Sequence, residues 1–98
     1  MHEFEVKELV KGVSDRFSRD VEPLINIGMY ENAKNDLEVI INILRPNEEA
    51  VKTLHSGINY LISVCKIYNS LSLNKKPPEK LMKEYVAYAA QVQMQRFD

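Results

Sequence analysis

The sequence has few of the residues that build cross-linked or turn-rich folds. Its 98 residues include 3 glycines, 4 prolines, one cysteine and no tryptophan. So few turn-forming residues argue against a β-sandwich. Cys65 has no second cysteine to pair with, which excludes an internal disulfide framework and favours a reducing compartment. No apolar run approaches the roughly 20 residues that a membrane-spanning helix needs.

The composition is that of an ordinary soluble protein. Hydrophobic residues make up 45% of the chain and charged residues 28%, which excludes disordered and low-complexity classes. A chain of this length holds one hydrophobic core, so residues 1–98 are predicted to form a single domain. The first ten residues carry acids where a signal peptide needs a basic start. A cytoplasmic location is therefore expected.

The charges are unevenly distributed along the chain. Residues 1–49 hold 11 acidic and 6 basic residues, whereas residues 50–98 hold 3 acidic and 7 basic residues. Halves of opposite sign can complement each other within one bundle, or they can dock on a second copy or on a charged partner.

Apolar residues recur at steps of three and four, which is typical of amphipathic helices. The pattern predicts helices over residues 3–18, over 21–44 with a break near Gly28, over 48–72 and over 78–96. Pro23 predicts a helix start or a bend near residue 20, and Pro46 predicts the end of the second helix. Connections this short favour an all-α, antiparallel bundle of about four helices.

The third predicted helix carries two apolar stripes. One consists of Val51, Leu54, Ile58, Leu61, Cys65 and Tyr68, and the other of Tyr60, Val64, Ile67 and Leu71. An apolar arc this wide is typical of a central helix, so residues 48–72 are expected to be the most buried element. Cys65 is expected to be a buried thiol that acts as a small hydrophobic side chain.

The segment 17–50 resembles one tetratricopeptide repeat. Phe17, Gly28, Tyr30 and Ala33 match the spacing of that family's aromatic, glycine, aromatic and alanine positions. Pro23 within the first helix departs from the pattern. The resemblance implies a helical hairpin. It does not imply the family's concave peptide-binding groove, because no second copy of the repeat follows.

Two further resemblances rest on general architecture. A four-helix chain of this length with a basic C-terminal half is similar to the immunity proteins that protect bacteria from their own antilisterial bacteriocins. The Gly-x-Tyr hairpin, followed by a tyrosine-rich helix, is similar to flagellar-type export chaperones. Both resemblances imply a protein that binds another protein, and neither assigns functional residues.

Residues that could carry chemistry are sparse. The two histidines, His2 and His55, belong to no His-Glu-x-x-His or Glu-x-x-His motif, so neither a zinc site nor a di-iron site is predicted. The isolated glycines form no phosphate-binding loop. Glu48 and Glu49 stand at a predicted helix start, where the helix dipole favours acids. The sequence therefore predicts no enzyme, no cofactor and no metal.

A lysine cluster provides an alternative, nucleic-acid-binding function. Lys75, Lys76, Lys80 and Lys83 surround the start of the last predicted helix, and Tyr85 and Tyr88 follow one turn on. Such bases suit phosphate contacts. The isoelectric point near 6.1 and the acidic first half argue against this alternative, and a membrane partner is not expected.

The main prediction is a non-catalytic module that binds another protein, as an adaptor, chaperone, inhibitor or immunity-type protein. The third and fourth helices carry more apolar residues than a core of this size is expected to hold. The predicted partner-binding residues are Tyr60, Ile67, Leu71, Tyr88 and Met94. A homodimer that covers the same residues is the alternative, and the sequence does not identify the partner.

Overall fold

A computed structural model describes residues 3–94, which contain helices and no strand. The elements are α1 (Glu3–Arg16), a π-helical turn (Phe17–Val21), α2 (Glu22–Asn26), α3 (Tyr30–Leu44), a 3-10 turn (Arg45–Asn47), α4 (Glu48–Lys52), α5 (Gly57–Ser72) and α6 (Glu79–Gln93). The predicted all-α bundle is confirmed. Residues 95–96, predicted to end the last helix, lie outside the described residues, as does His2.

Four rods make up the bundle. The first rod is continuous from α1 through the π-helical turn to α2, and the other three are α3, α5 and α6. The first rod packs against α3 and α6, and α5 packs against the same two helices from the other side. The bundle measures 43 × 24 × 19 Å. Each rod therefore buries the side that faces its two neighbours and keeps an outer side without a neighbouring rod.

The helix start or bend predicted near residue 20 takes the form of a π-helical turn, after which α2 starts at Glu22 and the first rod continues. Its buried residues Val13, Phe17, Val21 and Ile25 follow one another at steps of four. In a regular helix each such step rotates the side chain by about 40° away from the core. The π-helical turn, in which the Glu22 N–H donates to the Phe17 carbonyl, absorbs this rotation. Pro23 lacks an N–H for the Arg19 carbonyl, which also favours a wider turn.

The turn at Gly28 ends the first rod as the sequence predicts. Gly28 has a φ of +80°, a left-handed conformation that glycine adopts without a steric penalty. The Gly28 N–H donates to the Ile25 carbonyl and the Met29 N–H to the Leu24 carbonyl, which satisfies carbonyls at the helix end. Helix α3 then begins at Tyr30.

The predicted helix over 48–72 is wrong as a single element, because residues 53–56 separate α4 from α5. Ser56 takes a left-handed backbone conformation, with a φ of 65°. A Cβ atom at Gly57 would lie 1.8 Å from the Val51 carbonyl oxygen. The backbone can therefore reverse here only because residue 57 has no side chain.

This break decides which apolar stripe of α5 is buried. Tyr60, Val64, Ile67 and Leu71 face the core, whereas Leu61 and Tyr68 are half-buried and Ile58 and Cys65 are exposed. The expectation of a buried thiol at Cys65 is therefore wrong. The core centre is aromatic, because Phe17, Tyr60 and Tyr85 are each at most 3% exposed.

Among residues 3–94, no helix is long and apolar enough to cross a membrane.

Candidate docking surface on helix α5

The chain around α5 is almost free of charge. From residue 53 to residue 74, Lys66 is the only aspartate, glutamate, lysine or arginine. By contrast, seven of the 14 residues of α1 are charged. Exposed helix faces of globular proteins normally carry charged and polar side chains. The solvent-facing side of α5 therefore carries a single charged side chain, Lys66, beside the polar Asn59 and Asn69.

Two isoleucines stand exposed on this side of α5. Ile58 is 53% exposed and Ile62 is 46% exposed, and their spacing of four places them one turn apart on the same face. The other exposed large hydrophobic residues within 3–94 stand singly or near helix ends: Phe4, Ile27, Met29, Val39, Leu73, Val86 and Met94. Ile58 and Ile62 thus form the one exposed aliphatic pair on a helix face in the described chain.

The same face continues toward the end of α5. Cys65 and Asn69 follow Ile62 at steps of three and four, and both are exposed. The exposed Lys66 also follows Ile62, at a step of four, and we call Ile58, Ile62, Cys65, Lys66 and Asn69 the outer face of α5. Lys66 is the single charged side chain of this face.

Grooves flank the outer face on both sides. The groove toward α3 has a volume of about 350 Å³, and its lining includes Ile41, Arg45, Cys65 and Tyr68. It adjoins a second depression of about 190 Å³, which is also lined by Leu44 and Leu61. The groove toward α6 has a volume of about 170 Å³ and is lined by Asn59, Ile62, Ser63, Lys66, Glu84 and Tyr88. The outer face is therefore a ridge between two shallow depressions.

Hydrogen bonds between helices hold the groove walls. The Tyr68 hydroxyl donates to the Glu38 carboxylate over 2.5 Å and joins α5 to α3. This hydrogen bond to Glu38 is the main cause that raises the pKa of Tyr68 above its usual value. At the start of α5, the Ser56 hydroxyl donates to the Gln91 side-chain oxygen over 2.5 Å and joins α5 to α6. The ridge is thus fixed to both neighbouring helices.

Three of the five predicted partner-binding residues lie elsewhere. Tyr60, Ile67 and Leu71 are at most 2% exposed, so the expectation that they remain outside the core is wrong. The break at residues 53–56 rotates α5 so that their stripe faces inward. Tyr88 is half-buried on the wall of the groove toward α6, and Met94 is 75% exposed at the end of α6.

The apolar spacing of the sequence placed Ile58 and Cys65 in the core stripe, so the outer face of α5 was not predicted. The signal that would have found it is the charge-poor run from residue 53 to residue 74. A buried stripe explains the absence of charge on one side of a helix, but it does not explain that absence on both sides.

The lysine cluster of the nucleic-acid alternative is exposed, whereas Tyr85 is not. Lys75, Lys76, Lys80 and Lys83 are all exposed, and the Lys83 ammonium lies 3.3 Å from the Glu79 carboxylate. Tyr85, which follows these lysines in the sequence, is 3% exposed and is therefore not accessible to nucleic acid. Its side chain packs in the core instead.

The polar groups of the core do not form a reactive site. The hydroxyls of Ser14, Tyr60 and Tyr85 are buried without a well-formed hydrogen bond, although they lie near one another. Burial is the main cause that raises the pKa of Tyr60 and of Tyr85, so both phenols remain protonated. Within residues 3–94, no three His, Cys, Asp or Glu side chains are grouped as metal ligands, and His55 is exposed.

No protein-family model, no curated protein and no solved structure matches this chain. The resemblances to the tetratricopeptide repeat, to bacteriocin immunity proteins and to flagellar-type export chaperones therefore stay predictions.

Proposed function

We propose that the protein is a non-catalytic interaction module that binds another protein through the outer face of α5. The observation that carries this proposal is the exposure of Ile58 and Ile62, one turn apart, on a 16-residue helix with Lys66 as its single charged residue. Adaptor, chaperone, inhibitor and immunity-type roles all require such a surface. The free thiol of Cys65 is compatible with the reducing cytoplasm, which we propose as the location.

The energetics of burial support a docking role for this face. Complete burial of an isoleucine side chain contributes about 1.5–3 kcal/mol relative to exposure. The cores of protein interfaces are depleted in charged residues, and that depletion distinguishes them from other surface more clearly than hydrophobicity does. The outer face of α5 is poor in charge by this measure, since it presents two isoleucines and Lys66 as its single charged side chain.

The flanking grooves support the proposal further. Ile41 and Leu61 on one side and Tyr88 on the other are half-buried, so each leaves apolar surface within reach of a docked partner. A partner side chain that enters either groove would lie against the walls held by Tyr68 and Glu38 or by Ser56 and Gln91. Docking therefore needs no rearrangement of the bundle.

The nucleic-acid alternative has less support. Its lysines stand beside Glu79, which pairs with Lys83, and of the two tyrosines that follow them Tyr85 is buried and Tyr88 is half-buried. We therefore expect neither duplex nor single-stranded DNA to bind, even at low salt, where phosphate contacts are strongest.

The proposal is tested by affinity capture from an extract of the organism that encodes the protein, using three baits. These are the unmodified chain, Ile62→Glu, and Val39→Glu as a matched control, since Val39 is 39% exposed on α3 and lines none of the described grooves. A protein retained by the unmodified chain and by Val39→Glu, but lost with Ile62→Glu, supports the proposal. Identical retention by all three baits would refute it for any captured partner.

A further inference from the structure

We propose that the aromatic centre of the bundle contains an internal hydration site, in which one water molecule is held by the hydroxyls of Ser14, Tyr60 and Tyr85. The three residues belong to three different helices, α1, α5 and α6. The ligand of this site is a small neutral molecule that both donates and accepts hydrogen bonds. The site lies in the core and is independent of the outer face of α5.

The three hydroxyl oxygens are enclosed by protein. All of them are buried, and none makes a well-formed hydrogen bond within the described residues. Tyr60 is 0% exposed and Tyr85 is 3% exposed, whereas Ser14 as a whole residue is half-buried. Buried polar groups in folded proteins are almost always hydrogen-bonded to protein or to ordered water, because a buried polar group without a partner destabilises the fold. These hydroxyls therefore need a partner.

The hydroxyls also lie close together. The rings of Tyr60 and Tyr85 contact each other, with centroids 5.6 Å apart and planes inclined by 32°. Burial is the main cause that raises the pKa of both phenols, and the nearby Ser14 hydroxyl partly opposes that effect. Ser14 is thus a neighbour of both phenols. One small ligand placed among the three groups reaches all of them.

Water matches both the number and the chemistry of these groups. A buried water typically makes about three hydrogen bonds to polar groups that lack another partner. A water molecule that donates to two of the hydroxyl oxygens and accepts from the third hydroxyl gives each group a partner. An ion is not favoured, because three neutral hydroxyls supply no charge to compensate for its burial.

The frequency of buried water in proteins supports the same assignment. About one buried water molecule occurs per 27 residues, so a chain of 98 residues is expected to hold several. Such waters occupy polar sites, whereas apolar cavities stay dry. Among the buried side chains of the core, the hydroxyls of Ser14, Tyr60 and Tyr85 provide such a polar site.

The most direct test is a crystal structure at a resolution that shows ordered water. We expect density for one solvent oxygen within about 2.5–3.0 Å of the three hydroxyl oxygens, the usual range for hydrogen bonds between oxygens. Direct hydrogen bonds among the three hydroxyls, with no solvent density between them, would overturn the proposal.

A second test counts bound water in solution. Magnetic relaxation dispersion of the water oxygen nuclei detects water molecules that stay in a protein for longer than the protein takes to tumble. The comparison is between the unmodified chain and the triple variant Ser14→Ala with Tyr60→Phe and Tyr85→Phe, which keeps both rings. We expect the variant to hold one long-lived water fewer, with an unchanged circular dichroism spectrum. An equal number in the two proteins contradicts the proposal.

A single substitution gives a third test through the sign of its effect. If water bridges the hydroxyls, Tyr60→Phe removes a hydrogen bond and should lower the melting temperature by about 4–8 °C. If the Tyr60 hydroxyl has no partner, the same substitution should raise the melting temperature, because it removes an unpaired polar group from the core. Tyr88→Phe is the control, since Tyr88 is half-buried at a surface groove, and it should change the melting temperature little. An unchanged or raised melting temperature in Tyr60→Phe overturns the proposal.

Discussion

The ring of Phe17, the first residue of the π-helical turn, packs against Tyr85 of α6 with ring centroids 4.3 Å apart and planes inclined by 35°. On α5, Tyr60 contacts Tyr85 at a centroid distance of 5.6 Å. Three rods thus meet through three aromatic rings. The widened turn keeps Phe17 and Val21 on the buried side together with Val13 and Ile25, in a series of three successive steps of four.

Replacement of Phe17 should test the importance of that aromatic centre. Phe17 is 1% exposed, whereas Phe4 is 65% exposed, so the chain provides its own control. We expect Phe17→Ala to lower the free energy of unfolding by about 3–5 kcal/mol, because it leaves a large cavity. Phe4→Ala should change it by about 0.5 kcal/mol or less. Urea denaturation of both variants measures the difference, and equal losses would contradict the assignment.

Two glycines should respond to alanine with opposite signs. At Gly57 a Cβ atom would overlap the Val51 carbonyl oxygen, whereas at Gly12 it would meet nothing within 4 Å. Gly57→Ala should therefore destabilise the fold by about 1–3 kcal/mol or more. Gly12→Ala, in the middle of α1, should stabilise it by about 0.5–1 kcal/mol. Thermal unfolding followed by circular dichroism distinguishes the two, and a stable Gly57→Ala variant would place the α4–α5 junction differently.

The orientation of α5 can be tested with one residue from each apolar stripe. Ile67 is buried and Leu61 is half-buried on the groove wall toward α3. Ile67→Ala should cost about 2–5 kcal/mol, and Leu61→Ala should cost clearly less because solvent already reaches that side chain. Chemical denaturation at a concentration where the chain is monomeric isolates the fold from any dimer contact. The reverse order of costs would mean that the other stripe faces the core.

Stability should fall at alkaline pH because of the two buried phenols. Burial raises the pKa of Tyr60 and of Tyr85 above the ordinary value, which is about 10. Above that pH the unfolded chain releases protons that the folded chain retains, so the unfolded state is favoured as the pH rises. Below about pH 10 both states keep these protons and the contribution is fully present.

Denaturation midpoints measured across that pH range test this expectation. The double variant Tyr60→Phe with Tyr85→Phe serves as the control, since it removes both ionisable groups and keeps the rings. Its midpoint should depend less on pH above 10 than that of the unmodified chain. Parallel curves for the two proteins would show that other groups cause the alkaline loss.

Part of the candidate site could be foreseen from the sequence. Helix α5 and Tyr88 of α6 were predicted as sources of the binding surface, and Tyr88 does line a groove beside the outer face. The residues on α5 were assigned to the wrong side, because both of its stripes are apolar. Hydrophobicity alone gives no reason to bury Ile67 rather than Ile58.

The sequence by itself determined the class of fold and most of the rods. The signals that set the helix ends are local: the spacing of apolar residues, Gly28, Pro46 and Pro78 each act over a few residues. Helix α3 therefore begins at Tyr30, shortly after Gly28, and α6 begins directly after Pro78, whatever the rest of the chain does. Only the tertiary structure decided the wide turn at Phe17 and the rotation of α5. Both depend on contacts between distant parts of the backbone, Phe17 with Tyr85 and Gly57 with the Val51 carbonyl. Residues 53–56 are not helical, so the rotation of α5 about its axis does not continue from that of α4. The packing of α5 against α3 and α6 therefore selects which side of α5 is buried.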